Sequence, residues 1–207
     1  TDAQHKKSAQ KLWKACKTDI YKSTYEGLYC VGHEAFMKES DLVEGLCPDH
    51  KTKPNSMELE SYFFALSNYS EKLVELIESN KIRIVPAKRR NEMLSFIKSG
   101  LEDVSISRPK SQLEWGVEVP DDPDHVMYVW FDALSNYISA IGYEADPGEF
   151  AKYWPANVHV IGKDIARFHC LLWPAMLLSA GLETPKSVFV HGFITSDGQK
   201  MSKSLGN

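Results

Sequence analysis

Lys200 and Lys203 stand three residues apart in the stretch QKMSKSLGN, residues 199–207. Two ammonium groups at that spacing, with the hydroxyls of Ser202 and Ser204, suit the gathering of phosphate oxygens. Gly198 and Gly206 give the flanking backbone freedom to close over such a group. The same composition describes a solvated chain end, so a polar tail and a phosphate-binding loop both stand open. A second set is the pair of C-x-x-H runs, Cys30 with His33 and Cys47 with His50. Two such turns facing each other complete the tetrahedral S/N ligand set of a structural zinc site. All four positions would then be filled, so the ion would staple the fold and take no part in chemistry. Two buried cysteines and two surface histidines are the plainer alternative.

A third set is apolar and aromatic. Trp130, Ala133, Leu134 and Tyr137 have the i, i+3, i+4, i+7 spacing of one helical face. Ile165, His169 and Trp173 follow one another at one-turn intervals. Such stripes line cores more often than pockets, and a single helical histidine is commonly satisfied by backbone. Gly162 permits a close approach at a strand end, and Asp164 stands where a carboxylate can cap a helix.

The elements that must position these residues are legible in outline. Asp2 can cap a first helix over residues 3–17 with Leu12, Trp13 and Cys16 on one side. Residues 19–30 read as a strand or hairpin arm, and residues 31–55 as loop-rich. Tyr62, Leu66, Tyr69, Leu73 and either Leu76 or Ile77 predict one amphipathic helix within 56–79, broken near Asn68. A further helix is expected over 88–99, with Gly100 as its terminator. From Val104 the texture changes to short β-branched and aromatic runs, VSISR, VMYVWF, NVHVIG and SVFVHGF. Helical stretches lie between the last three, which predicts a parallel sheet with right-handed crossovers. Trp130, Gly162 and His191 are then expected at carboxyl ends of strands, where ligands of such sheets bind. A boundary is placed near Asp103, with an α/β unit after it.

Bulk properties narrow the class. In 207 residues, 43% hydrophobic and 25% charged content is a globular balance that excludes wholesale disorder. No run approaches a membrane span, so no membrane partner is expected. The formal charge of −4 excludes a generally adhesive nucleic-acid coat. Lys6–Lys7 and Lys88–Arg89–Arg90 read as solvated faces. Four cysteines do not make a disulfide scaffold, which favours a reducing compartment. A chain that opens on Thr1 and stops on a loop looks excised at both ends.

On YVWFDALSNY (128–137), GKDIARFHCLLWPAML (162–177), VHGF (190–193) and KMSKSLGN (200–207), the chain resembles the methionyl-tRNA synthetases, a family of class I aminoacyl-tRNA synthetases. YEGLYCVGHEAF and CPDH look like that family's connective-peptide insertion with its zinc knuckle. The resemblance covers nearly the whole chain. The implied fold is α/β, a partial Rossmann-like parallel sheet with an inserted zinc-knuckle module. The implied division is a lead-in over 1–22, the insertion over 23–103 and the second catalytic half over 104–207.

The implied activity is ATP-dependent activation of methionine and transfer of the methionyl group to tRNA(Met), with Mg2+ accompanying ATP. By resemblance, Lys203 stabilises charge on the pyrophosphate side, with Lys200 and Ser202 assisting. Gly162, Lys163, Asp164, His191 and Gly192 would border the adenine and ribose. Trp130, Ala133, Leu134, Tyr137, Ile165 and His169 would form the methionine pocket, with Leu134 where the family more often has proline. Arg108 faces either the cleft or the surface. The family's HIGH-type nucleotide-binding half and its helical anticodon-binding domain find no counterpart in this stretch. The missing flanks are expected as partners, and the chain alone is expected to be inactive or weak. A zinc-stapled module gripping the tRNA acceptor stem without catalysis is the alternative. A cytoplasmic location is expected, an organellar form staying open.

Overall fold

The computed structural model describes residues 2–30, 35–37, 39, 42–48 and 51–201. Helix α1 (Ala3–Ala15) begins where the Asp2 carboxylate accepts from the His5 N–H at 2.7 Å. Leu12, Trp13 and Cys16 are buried on its inner side, as their spacing requires. Strands β1 (Ile20–Cys30), β2 (Ala35–Met37) and β3 (Asn55–Phe64) follow. β1 and β3 run antiparallel in unbroken register, from Ile20 opposite Phe64 to Tyr29 opposite Asn55. β2 adds to the outer end of β1, with Leu28 opposite Met37.

β3 corrects the expectation of a single helix over 56–79. Only the second half is helical, as a 3-10 turn at Leu66–Tyr69 and then α2 (Ser70–Glu78). The periodic residues from Tyr62 to Ile77 therefore span a strand, a 3-10 turn and a helix. The long β1 offers Met57, Glu58, Leu59 and Glu60 a ladder partner, and that pairing overrides their helix preference.

β4 (Arg83–Val85) and α3 (Ala87–Lys98) come next, and Gly100 at φ +101° ends the helix as expected. VSISR splits into β5 (Val104–Ser105), which pairs with β3, and β6 (Ser107–Pro109). β7 (Glu118–Val119) and β8 (Asp122–Met127) complete a second antiparallel sheet in the order β6-β8-β7. Then follow α4 (Val129–Ser139), α5 (Pro147–Tyr153) and β9 (His159–Gly162). The stretch 163–179 is not one uniform helix. It runs through a 3-10 turn (Lys163–Ile165), a π-helical turn (Phe168–Leu172) and α6 (Trp173–Ser179). Pro174 falls in the first turn of α6, where its missing N–H costs least. β10 (Ser187–His191) leads to the hairpin β11 (Thr195–Ser196) and β12 (Gln199–Lys200).

The parallel sheet exists, in the order β4-β10-β9. Val188 lies beside Ile84, and Val190 beside Ile161. VMYVWF does not supply its third strand. Met127 ends an antiparallel strand, and Val129 opens α4, so Trp130 sits in the first turn of a helix and not at a parallel strand's end. The third strand is β4, from ahead of Asp103, and both sides of that residue share one core. Leu12, Phe64, Ile77, Phe131, Trp173 and Val188 all belong to it. Among the described residues no helix is long and apolar enough to cross a membrane. The four cysteines are buried and outside any disulfide.

Candidate active site

The carboxyl ends of β9 and β10 lie side by side, with Gly162 directly opposite His191. A Cβ on Gly162 would stand 2.6 Å from the Asp164 Oδ1, so the absent side chain is what lets that carboxylate fold back over the strand end. The same hypothetical atom lies 3.9 Å from the His191 Cε1. Lys163 reaches the other way, its ammonium 4.1 Å from the centre of the Phe193 ring. Gly162, Lys163, Asp164, His191 and Gly192 thus meet at one edge, where open α/β sheets bind ligands.

The segment leaving that edge carries the second group. His169 is buried, and its Nδ1–H donates to the Ile165 carbonyl at 3.0 Å. A carbonyl only accepts, so in the neutral ring Nε2 is left to accept, and the Tyr137 hydroxyl lies 2.9 Å from it. Burial pushes the His169 pKa down, which favours this neutral form, and burial raises that of Tyr137. Trp130 stacks on Phe168, with centroids 4.1 Å apart and planes at 12°, and stands edge-on to His169. Trp130, Ala133 and Tyr137 face outward from α4, whereas Leu134 is sunk in the core. Trp130, Tyr137, Ile165 and His169 are therefore brought together, and Leu134 supports them from behind.

Arg108 is buried, not on the surface. It donates to the Ser105 hydroxyl and the Ser107 carbonyl, each at 2.7 Å, and its guanidinium covers the Tyr128 ring at 4.2 Å. This Arg108–Tyr128 stack borders two cavities. One, of about 530 Å³, is lined by Tyr29, Trp115, Gly116 and Asp132 among others. The other, of about 870 Å³, takes in Phe96, Lys163, Asp164 and Phe168. Both volumes suit a small-molecule site. The larger one meets the strand-end group at Lys163 and Asp164, and the aromatic group at Phe168.

The hairpin after β10 turns at Asp197 and Gly198, both at positive φ, the two-residue turn that suits paired strands. It presents Lys200 at the end of β12, while the Lys200 side chain, Ser202, Lys203, Ser204 and Gly206 lie outside the described residues. His33 and His50 also lie outside them. Cys30 ends β1 and Cys47 begins a tight turn, its carbonyl accepting from Lys51 N–H and its N–H donating to the Thr52 carbonyl, both at 2.9 Å.

A family profile described as "tRNA synthetases class I (M)" matches residues 1–56 and 50–207. The chain belongs to the class I tRNA synthetases (M). It is 52% identical to the methionine–tRNA ligase of Caldanaerobacter subterraneus subsp. tengcongensis over all of its length and 33% of that protein's. With the methionine–tRNA ligase of Rhizobium meliloti it shares 50% identity, over 41% of that protein's length. The chain thus spans a third to two fifths of these relatives. Mycobacterium tuberculosis methionyl-tRNA synthetase bound by methionyl-adenylate superposes with a TM-score of 0.88 at 47% identity, covering 100% of this chain and 42% of that one.

Within this class I synthetase fold, sequence reasoning missed two site features, Phe168 and His159. An aromatic next to a pocket histidine is a visible signal for Phe168. Arg108 was expected at the cleft or the surface, and its burial left no signal, because it depends on β5, β6 and Tyr128 meeting. His159 could have been found from HVIG, where alternation puts His159 and Ile161 on the same inward face.

Proposed function

We propose that the protein containing this chain is a methionine–tRNA ligase. The methionine carboxylate attacks the α-phosphorus of ATP, the bond to the bridging oxygen breaks, and pyrophosphate leaves with its electron pair. A hydroxyl of the terminal ribose of tRNA(Met) then attacks the adenylate's carbonyl carbon, the anhydride bond to the phosphate oxygen breaks, and AMP leaves as the ester forms. The observation that carries this is the assembly of Trp130, Tyr137 and His169 beside the Gly162–Asp164 strand end, in a chain alike throughout to proteins named methionine–tRNA ligase. Those names favour catalysis over a non-catalytic acceptor-stem module.

In this reading Trp130, Ala133, Tyr137, Ile165 and His169 hold the methionine side chain, with Leu134 behind them. A thioether against aromatic faces contributes about 0.3–1.5 kcal/mol per contact, so the shape of the pocket must add what ring contact lacks. Gly162, Lys163, Asp164, His191 and Gly192 border the adenosine. Lys200, Ser202 and Lys203 meet the phosphates of ATP, which arrives with Mg2+, and oppose the charge developing on pyrophosphate.

A structural zinc ion is proposed at Cys30, His33, Cys47 and His50. The two thiols are buried, and the four residue types and their spacing are those of a structural zinc site. The ion would supply cross-linking and no chemistry. The division into 1–22, 23–103 and 104–207 is kept as segments, with the β1–β3 arm as the insertion proper and β4 returning to the catalytic sheet. The location is proposed as cytoplasmic.

The test is ATP–pyrophosphate exchange by the full-length protein against a panel of amino acids. Exchange that depends on methionine is expected, and Lys203→Ala is expected to abolish most of it without unfolding. Exchange with another amino acid alone, or an unaltered rate in the lysine variant, would overturn the reading or the assigned role respectively.

A further inference from the structure

Beneath the Tyr137–His169 pair lies a second buried histidine that the mechanism above does not use. His159 opens β9 and is 5% exposed. The Trp173 indole Nε1–H, which can only donate, points at the His159 Nε2 at 3.3 Å. This nitrogen is therefore the acceptor, and the neutral ring carries its hydrogen on Nδ1. The Tyr137 ring lies over His159, with centroids 4.1 Å apart and planes at 37°. Trp154 closes the cluster, 6.0 Å from Trp173 and 6.3 Å from His159, with its own indole N–H satisfied by the Glu183 carbonyl at 2.8 Å. Tyr137 itself is 36% exposed. One face of its ring is thus held by the protein while the other side is open.

We propose that His159 is a positioning residue for the side-chain pocket: pinned from below by Trp173, it forms the floor that holds the Tyr137 ring where its hydroxyl meets the His169 Nε2. Two facts beyond packing support this. A phenol ring has freedom about two bonds, and its single hydroxyl contact with His169 would not by itself fix the ring plane. Moreover, a buried imidazole costs free energy unless its polar atoms find partners, and Trp173 supplies one at the depth that puts the ring against Tyr137. A neutral His159 is required, since a charge on this buried ring would lose its hydration, and the donor-only Trp173 N–H already faces its Nε2. Burial first, and His169 second, lower its pKa to about 4.

This inference rests on the ligase reading. The test measures exchange kinetics of the full-length protein with His159→Phe, which keeps a ring and removes the acceptor. Trp173→Phe removes the same hydrogen bond from the other side, and so carries the test where the first variant does not fold. Each is expected to raise the methionine KM about fivefold, the worth of one aligned hydrogen bond, with the ATP KM unchanged. The double variant should cost little more than either single one, because both remove the same link. His159→Gln, whose side-chain oxygen can reach the indole N–H, should recover part of the loss. An unchanged methionine KM, or methionine and ATP KM rising in proportion, would overturn the inference. Absence of methionine-dependent exchange in the unaltered protein would overturn the ligase reading instead, so the two failures are distinguishable.

Discussion

Tyr137 concentrates several demands in one side chain: its ring rests on His159 and its hydroxyl donates to His169. Tyr137→Phe leaves the His169 Nε2 without its donor, at a cost of about 1 kcal/mol or more. A roughly fivefold rise in methionine KM is expected, read from exchange kinetics of the full-length protein, with ATP affinity unmoved. His159 makes a second prediction, on stability. Its pKa falls from 6.5 to about 4 on folding, so between those values the unfolded chain binds a proton that the native one refuses. Stability is then full above pH 6.5 and declines as the pH falls towards 4. This ring alone should make the protein about 2 kcal/mol less stable at pH 5 than at pH 7, seen as a lower urea midpoint, and His159→Phe should remove that part of the slope. Much of this was legible in residue types. The spacing of Trp130 and Tyr137, and the one-turn step from Ile165 to His169, announced a cluster. The burial of Leu134 and Arg108 was not legible, because a residue's depth is decided by elements far away in sequence.

Elements were readable where one period ran long enough. α1 and α3 carry full apolar stripes and end signals, and β9 and β10 alternate cleanly. β4 escaped because three residues before a proline form a strand only when β10 is present to pair with them. β3 escaped because Met57, Glu58, Leu59 and Glu60 are good helix formers captured by β1. Two glycines test how tightly elements meet. At Gly116 an added Cβ would stand 2.8 Å from the Val126 Cβ in β8, a branched neighbour with nowhere to go. Gly116→Ala should therefore cost about 1–3 kcal/mol, measured as a fall in melting temperature. Gly162→Ala should differ in kind. It displaces the Asp164 carboxylate from the strand end, so adenylate formation should drop while the melting temperature changes little. The proposed knuckle gives a third test. Zinc should be found at one ion per chain by elemental analysis, and Cys47→Ser should remove it and lower the melting temperature. A metal-free wild-type protein would refute the site.

At the scale of the molecule, the described residues cover the parallel sheet on one side only. Ile84, Ile161, Val188 and Val190 point into the core, while Val160 and Phe189, neighbours in register, are 64% and 44% exposed. Parallel sheets are normally covered on both faces, so the 207-residue chain produced alone should self-associate. Val160→Lys with Phe189→Glu should shift its sedimentation towards monomer, and a monomeric wild-type chain at high concentration would contradict this. The β1–β3 ribbon has a different bearing on the whole. Its ten paired positions make a rod of about 34 Å, rooted at Ile20 and Phe64 beside the core. Tyr29 near its tip borders one cavity, and Met37 on β2 borders the other. Each cavity thus has one wall on the core and one on the ribbon, so a substitution at Tyr29 or Met37 reshapes a chamber from the far end of the arm and leaves the core packing as it is.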